Sequence, residues 1–131
     1  MTKKEIKKQM FFIHHGTYPF DILVDIGIHT DKQLQKFLKK EKGITLDPDS
    51  IEALETCSIT GGRTVMLSGG ATIMRVSNDS DTFHEFLAHE IFHAVEFLFD
   101  RIGIQLSRES SEAYAYQIGW LHNQVYQKVK L

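Results

Sequence analysis

At 131 residues the chain has the length of one ordinary domain, enough for a single hydrophobic core and too short for two, so one domain over 1–131 is expected. Its 42% apolar and 24% charged residues are those of a globular protein, and a formal charge of -2 argues against nucleic acid as a partner. The lone Cys57 excludes an intramolecular disulfide and any cysteine-based zinc site, fits a reducing compartment, and reads as a small buried hydrophobe.

Lys3, Lys4, Lys7 and Lys8 precede the apolar Met10-Phe11-Phe12-Ile13, but that run ends at His14-His15-Gly16 without a small-residue cleavage site, so it does not make an export signal. No stretch approaches the roughly 20 apolar residues needed to span a bilayer. A cytoplasmic protein with no membrane partner is expected. Residues 9–15 and 20–28 read as two strands joined around Gly16-Thr17-Tyr18-Pro19. In the second, Phe20, Ile22, Val24, Ile26 and Ile28 alternate with Asp21, Leu23, Asp25 and Gly27, the period-2 pattern of a strand with one face on a core. Adjacent His14 and His15 would point to opposite faces and cannot share a metal.

A helix comes next, opened by a Thr30–Gln33 capping box, striped by Leu34, Phe37 and Leu38, and ended by Gly43. Asp47-Pro48 starts a shorter one that buries Ile51, Ala53 and Leu54. Thr60-Gly61-Gly62 breaks the chain, and strands at about 63–68 and 71–77 form a second hairpin across Ser68-Gly69-Gly70. After the polar Asn78-Asp79-Ser80, a Thr82–Glu85 capping box starts a helix near residue 83 that runs to about Arg101, with Gly103 beyond its end.

That helix carries His89-Glu90-Ile91-Phe92-His93, a His-Glu-x-x-His motif. Positions four apart on a helix lie about 40° apart around the axis, so His89 and His93 point the same way and can bind one zinc ion together. Glu90 stands beside them as a base for a water whose pKa zinc lowers to about 7. Shuffling this composition would yield the motif roughly once in forty trials, so its context must support it. The context does: Phe83, Leu87, Ile91, Ala94, Leu98 and Ile102 form an apolar stripe opposite the histidines, and Phe86, Phe92, Phe97 and Phe99 widen it. The helix reads as central, with its histidines lining a cleft. His84 lies well away from the direction of His89 and reads as structural, and His29 as a surface or rim residue.

The last helix starts near Ser110 or Ser111 and runs towards Lys128. Tyr114, Ile118, Leu121, Val125 and Val129 form one stripe, and Glu112, Tyr116, Gly119 and Asn123 the opposite face. The small Ala113, Ala115 and Gly119 permit close helix approach, so the glutamate face is expected against the metal helix and the apolar stripe against another part of the core or a second subunit.

Over residues 63–123 the chain, with the His-Glu-x-x-His motif at its centre, resembles the zincin metallopeptidases, specifically the gluzincins. The resemblance implies a small α+β zincin-like domain: two β-hairpins in an antiparallel or mixed sheet, packed on the central His-Glu-x-x-His helix and a C-terminal helix bearing a glutamate. It implies zinc on His89, His93 and Glu112, the last lying 19 residues after His93 in Ser111-Glu112-Ala113-Tyr114-Ala115-Tyr116. Glu96, at position 96, and Phe99 stand where a metzincin has its glycine and third histidine, which excludes that subgroup. Glu96 shares the metal face, but a helix rises about 10 Å over the seven residues from His89, too far for three ligands to converge at about 2 Å. It reads instead as a group supporting a ligand or lining the cleft.

The activity implied is peptide-bond hydrolysis on a peptide or protein substrate, with Glu90 as general base and Tyr116 as first candidate for steadying the oxyanion, ahead of Tyr114, His122 and Tyr126. Strand 71–77 would be the edge strand against which an extended peptide pairs, through Ile73, Met74 and Arg75. The alternative is a catalytically silent zincin-fold binding module whose zinc site serves a partner protein or peptide. A di-iron reading of Glu90-Ile91-Phe92-His93 fails, because the chain lacks a second such pair and further carboxylate helices. Substrate preference and oligomeric state do not follow from the residues.

Overall fold

The computed structural model describes residues 5–17, 20–55, 61–67 and 71–131. Cys57, Tyr18-Pro19 and Ser68-Gly69-Gly70, where the sequence places the second hairpin's turn, lie outside the described residues. Both expected hairpins form. In the first, β1 (Gln9–His14) and β2 (Asp21–Ile26) pair antiparallel from Gln9↔Ile26 to His14↔Asp21. In the second, β3 (Gly62–Met66) and β4 (Thr72–Val76) pair antiparallel from Gly62↔Val76 to Met66↔Thr72. The hairpins join through β2 and β4, which run parallel from Ile22↔Thr72 to Ile26↔Val76, giving one four-stranded mixed sheet in the order β1-β2-β4-β3.

A parallel pair requires a crossover, and here it contains α1 (Asp31–Lys42), α2 (Pro48–Glu55) and β3. α1 and α2 cover one face of the sheet: Leu34, Leu38 and Leu54 pack with Leu23 of β2, Ile73 of β4 and Phe12 of β1. The other face takes α3 (Phe83–Arg101) and α4 (Ser111–Lys128). Ile22, Val24, Ile26, Met74 and Val76 pack there with Phe83, Leu87, Ile91, Ala94 and Leu98 of α3 and Tyr114, Leu121 and Val125 of α4. The architecture is α+β with helices on both faces of a mixed sheet. Among the described residues no helix is long and apolar enough to cross a membrane.

Covering both faces corrects two expectations. β2 is not a half-exposed strand: Leu23 and Asp25, on its supposed solvent face, are both at 0% exposure. β4 is not an edge strand either, since it lies between β2 and β3, and Ile73, Met74 and Arg75 are all buried. Those three residues therefore cannot receive a peptide by strand addition. Arg75 is buried because Asp25 faces it: its Nε donates to Asp25 Oδ2 at 2.9 Å, Nη1 reaches Asp31 Oδ1 at 3.4 Å, and Nη2 donates to the His29 carbonyl. His29 Nδ1 completes the cluster 2.5 Å from Asp25 Oδ1, so His29 is a partly buried partner of Asp25 rather than a surface or rim residue.

Local signals behave unevenly. The Thr30–Gln33 capping box forms, and Gly43 caps α1 in the left-handed region at φ 66. The Thr82–Glu85 box does not form. Thr82 has a helical backbone (φ -117, ψ -3) rather than an extended one, so its hydroxyl makes no cap bond, and Phe83 N–H donates to the Asp79 carbonyl at 2.8 Å instead. The sheet has two edges, and β1 is blocked: Lys128 Nζ donates to the Phe12 carbonyl at 2.8 Å, while the Gln9 side-chain amide exchanges bonds of 2.9 and 2.8 Å with the Lys130 backbone. β3 is the other edge.

Candidate metal centre

Four-residue spacing on α3 brings His89 and His93 together as expected. Their Nε2 atoms are 3.2 Å apart and the rings meet edge-on, with centroids 4.8 Å apart at 71°. Two ring nitrogens that close cannot both carry a proton towards each other, so at least one presents its lone pair to the shared space. His93 is fixed from behind: its Nδ1 lies 2.9 Å from Glu96 Oε1, and a proton held there leaves the lone pair on Nε2. Glu96, one helical turn beyond His93, is thus its hydrogen-bond partner.

Glu90 is only 4% exposed, although its two histidine neighbours in the motif are at the surface, with side chains 65% and 40% exposed. It is held by β3. Thr64 Oγ1 donates to Glu90 Oε1 at 2.9 Å and lies 3.3 Å from the Glu90 carbonyl. Glu90 Oε2 is 4.0 Å from His89 Nε2, so the carboxylate has one oxygen on the strand and one towards the imidazoles. Gly62, two residues before Thr64 and hence on the same side of β3, leaves the room: a Cβ there would stand 2.7 Å from Glu90 Cγ and 2.9 Å from the Arg75 carbonyl. The sequence showed Gly62 only as a chain break and gave Thr64 no role. Their alternate spacing on a strand was the available signal, and it becomes informative only once β3 is known to lie beside α3.

The rest of the expected site is elsewhere. α4 packs on α3 through its apolar stripe, with the Phe99 and Tyr114 rings 4.4 Å apart and Gln117, Trp120 and Leu121 against Ala94, Val95 and Leu98. At 100° per residue, His89 and His93 stand about 120° around the axis from Val95 and Phe99 respectively. Glu112 and Tyr116 occupy the face of α4 turned away from that contact, both exposed, Tyr116 at 71%. The expectation that the glutamate face meets α3 is therefore corrected, and among the described residues no three His, Cys, Asp or Glu side chains converge to hold a metal. Tyr114 is the α4 residue that approaches this region. Burial, with the charges of Glu96 and Asp100 adding to it, pushes its phenol above the ordinary value, and its hydroxyl donates to the Ile104 carbonyl at 3.1 Å.

The remaining histidines are engaged separately: His14 with Asp21 and Lys42, His15 with Gln117 and Trp120, His84 with the Tyr126 hydroxyl, and His122 stacked on the Tyr126 ring. As a donor set, the His89–His93 pair fits zinc, offering imidazole nitrogens in one direction with one of them oriented by a carboxylate. The third protein ligand usual at a catalytic zinc has no counterpart among the described residues. No protein-family model matches the chain, and neither a curated protein nor a solved structure matches it.

Proposed function

We propose that the chain is a zinc-dependent peptide hydrolase of minimal zincin-like type, with His89 and His93 as ligands and Glu90 as general base. The observation that carries this reading is the convergence of the two Nε2 atoms at 3.2 Å beside a buried carboxylate whose Oε2 is 4.0 Å from His89 Nε2. A pair of histidines kept only for packing would not need an acid one position along, buried and turned to the same side. Zinc, when bound, supplies a Lewis acid for the scissile carbonyl and lowers the pKa of an attacking water. Glu90 Oε2 takes the proton of that water and returns it to the leaving amine. Glu96 holds His93 in the tautomer that leaves Nε2 free.

The substrate strand belongs on β3 rather than β4. β3 is the sheet edge not blocked by Lys128 and Gln9, and it runs directly beside Glu90, so an extended peptide added to it would pass the histidine pair. Tyr116 takes no part in this reading, because it points away from α3.

A second reading, a binding module without hydrolysis, is favoured by one observation: Glu112 does not join the histidines, and the pair stands open on the surface. Metal analysis of the purified protein, coupled to a mixed peptide-library digest, separates the two. The hydrolase reading expects about one zinc per chain, lost in His89→Ala and in His93→Ala, and library cleavage lost in Glu90→Gln while the zinc stays. Zinc bound without cleavage by the native chain selects the binding module. Full zinc retained by both histidine variants removes the site.

A further inference from the structure

A general base must present one oxygen to the water it deprotonates, and a carboxylate on a flexible side chain does so only when something fixes the other. On an isolated helix Glu90 would have no such restraint. Here β3 supplies it twice within three residues. Thr64 donates its hydroxyl to Oε1 at 2.9 Å, and Gly62 presents bare backbone where any side chain would displace the glutamate, its Cβ falling 2.7 Å from Glu90 Cγ and 3.0 Å from Oε2. The bond fixes which oxygen is which. Oε1 is committed to the strand, and Oε2 is left 4.0 Å from His89 Nε2.

We infer that Thr64 is the positioning residue for Glu90, holding Oε1 so that Oε2 faces the water in front of the histidine pair. The inference rests on the hydrolase reading and adds to it the group that aims the base. Threonine suits the place because it does two jobs: its β-branch favours the strand and limits where Oγ1 can stand, and its hydroxyl has one proton to give, with Oε1 at 2.9 Å nearer than the Glu90 carbonyl at 3.3 Å. The Thr64 hydroxyl acts only through Glu90, and a peptide added to β3 would pair with the strand's backbone rather than with that hydroxyl. The alternative is that the hydroxyl merely satisfies a carboxylate that happens to be buried, which any buried acid requires. That role would affect stability and leave the metal's surroundings alone.

Cobalt(II), whose visible absorption reports its coordination geometry and the state of its bound water, distinguishes them without any known substrate. Native protein, Thr64→Val, Thr64→Ser, Glu90→Gln and the Thr64→Val/Glu90→Gln double variant are each loaded with cobalt and their spectra compared. All should take up the ion with similar affinity, since His89 and His93 are untouched. Glu90→Gln should shift the absorption band, Thr64→Val should shift it in the same direction, and Thr64→Ser should restore the native band. The double variant should match Glu90→Gln alone, because Thr64 acts only through that carboxylate. In the library digest, Thr64→Val should cleave about 10- to 100-fold more slowly, the range for groups that act through a neighbour.

A Thr64→Val spectrum equal to native while that of Glu90→Gln differs overturns the inference and leaves the hydrolase reading standing. A Glu90→Gln spectrum equal to native places Glu90 away from the metal's water and overturns it as well. Native protein that binds no cobalt removes the hydrolase reading and this inference together. Should Thr64→Val not fold, Thr64→Ala, which deletes the hydroxyl without filling its place, gives the same comparison.

Discussion

Glu96 and Glu112 divide the two ways an acid can serve a histidine pair. The first stands behind His93 at 2.9 Å from Nδ1, and the second is exposed on another helix. An acid that fixes the tautomer of a ligand typically contributes 10- to 100-fold to metal affinity, whereas an exposed side chain touching nothing in the site contributes less than about twofold. Glu96→Ala should therefore weaken zinc binding by about tenfold or more, and Glu112→Ala should leave it unchanged, as read by titration against a competing chelator. The reverse ranking would bring Glu112 back as the third ligand and imply that α4 turns over when zinc binds. The sequence made His89, Glu90, His93 and Glu96 readable because all four sit within eight residues of one helix, where spacing alone sets direction. Thr64 and Gly62 lie 26 and 28 residues before Glu90, and nothing local connects them to it.

At the scale of the element, α4 shows where periodicity stops being enough. Its two faces were readable from the residues, and so were its start near Ser111 and its end near Lys128. Which face meets α3 was not, because small residues and an apolar stripe both suggest a helix contact, and a supposed ligand on the first outweighed the second. Burial decides it: Tyr114, Leu121 and Val125 join the same core as Leu87, Ile91 and Leu98. Tyr114→Ala removes a buried ring packed at a tilt against Phe99 and should cost about 3–5 kcal/mol, whereas Tyr116→Ala, on the opposite face, should stay within about 0.5 kcal/mol. Urea denaturation midpoints give both numbers. Comparable losses in the two variants would mean that the exposed face of α4 is covered, and the orientation of the helix would have to be reconsidered. The same contrast between local and distant causes explains the caps: the Thr30–Gln33 box depends on four consecutive residues and forms, while Thr82 is drawn into a helical turn by the Asp79 carbonyl and does not cap.

The four strands are held in one sheet by the parallel contact of β2 with β4, which pairs two strands from different hairpins. Both hairpins could be read from the chain, but their order could not, since β2 and β4 are separated by α1, α2 and β3. One pair of residues carried the missing information. Asp25 sits in the middle of one apolar strand and Arg75 in the middle of another, each anomalous alone and reasonable only if the two strands are neighbours with a second layer of helices above them. The pairing is Asp25↔Arg75 in register, and the side chains are 0% and 3% exposed.

Two such charges taken out of water gain from each other roughly what their desolvation costs, so the pair adds little net stability, yet removing one partner leaves a buried charge uncompensated. Arg75→Met should accordingly lose about 3–5 kcal/mol, with Asp25 left to His29 alone, and the Asp25→Leu/Arg75→Met double variant should recover most of that loss. Chemical denaturation of the three proteins, with the histidine pair's zinc affinity measured alongside, tests the account. Zinc affinity should not move, because Arg75 and Asp25 face α1 on the far side of the sheet from α3. An Arg75→Met variant within about 1 kcal/mol of native would show that Asp25 tolerates its place without the guanidinium, and the parallel junction would then rest on its backbone bonds and the two apolar layers alone.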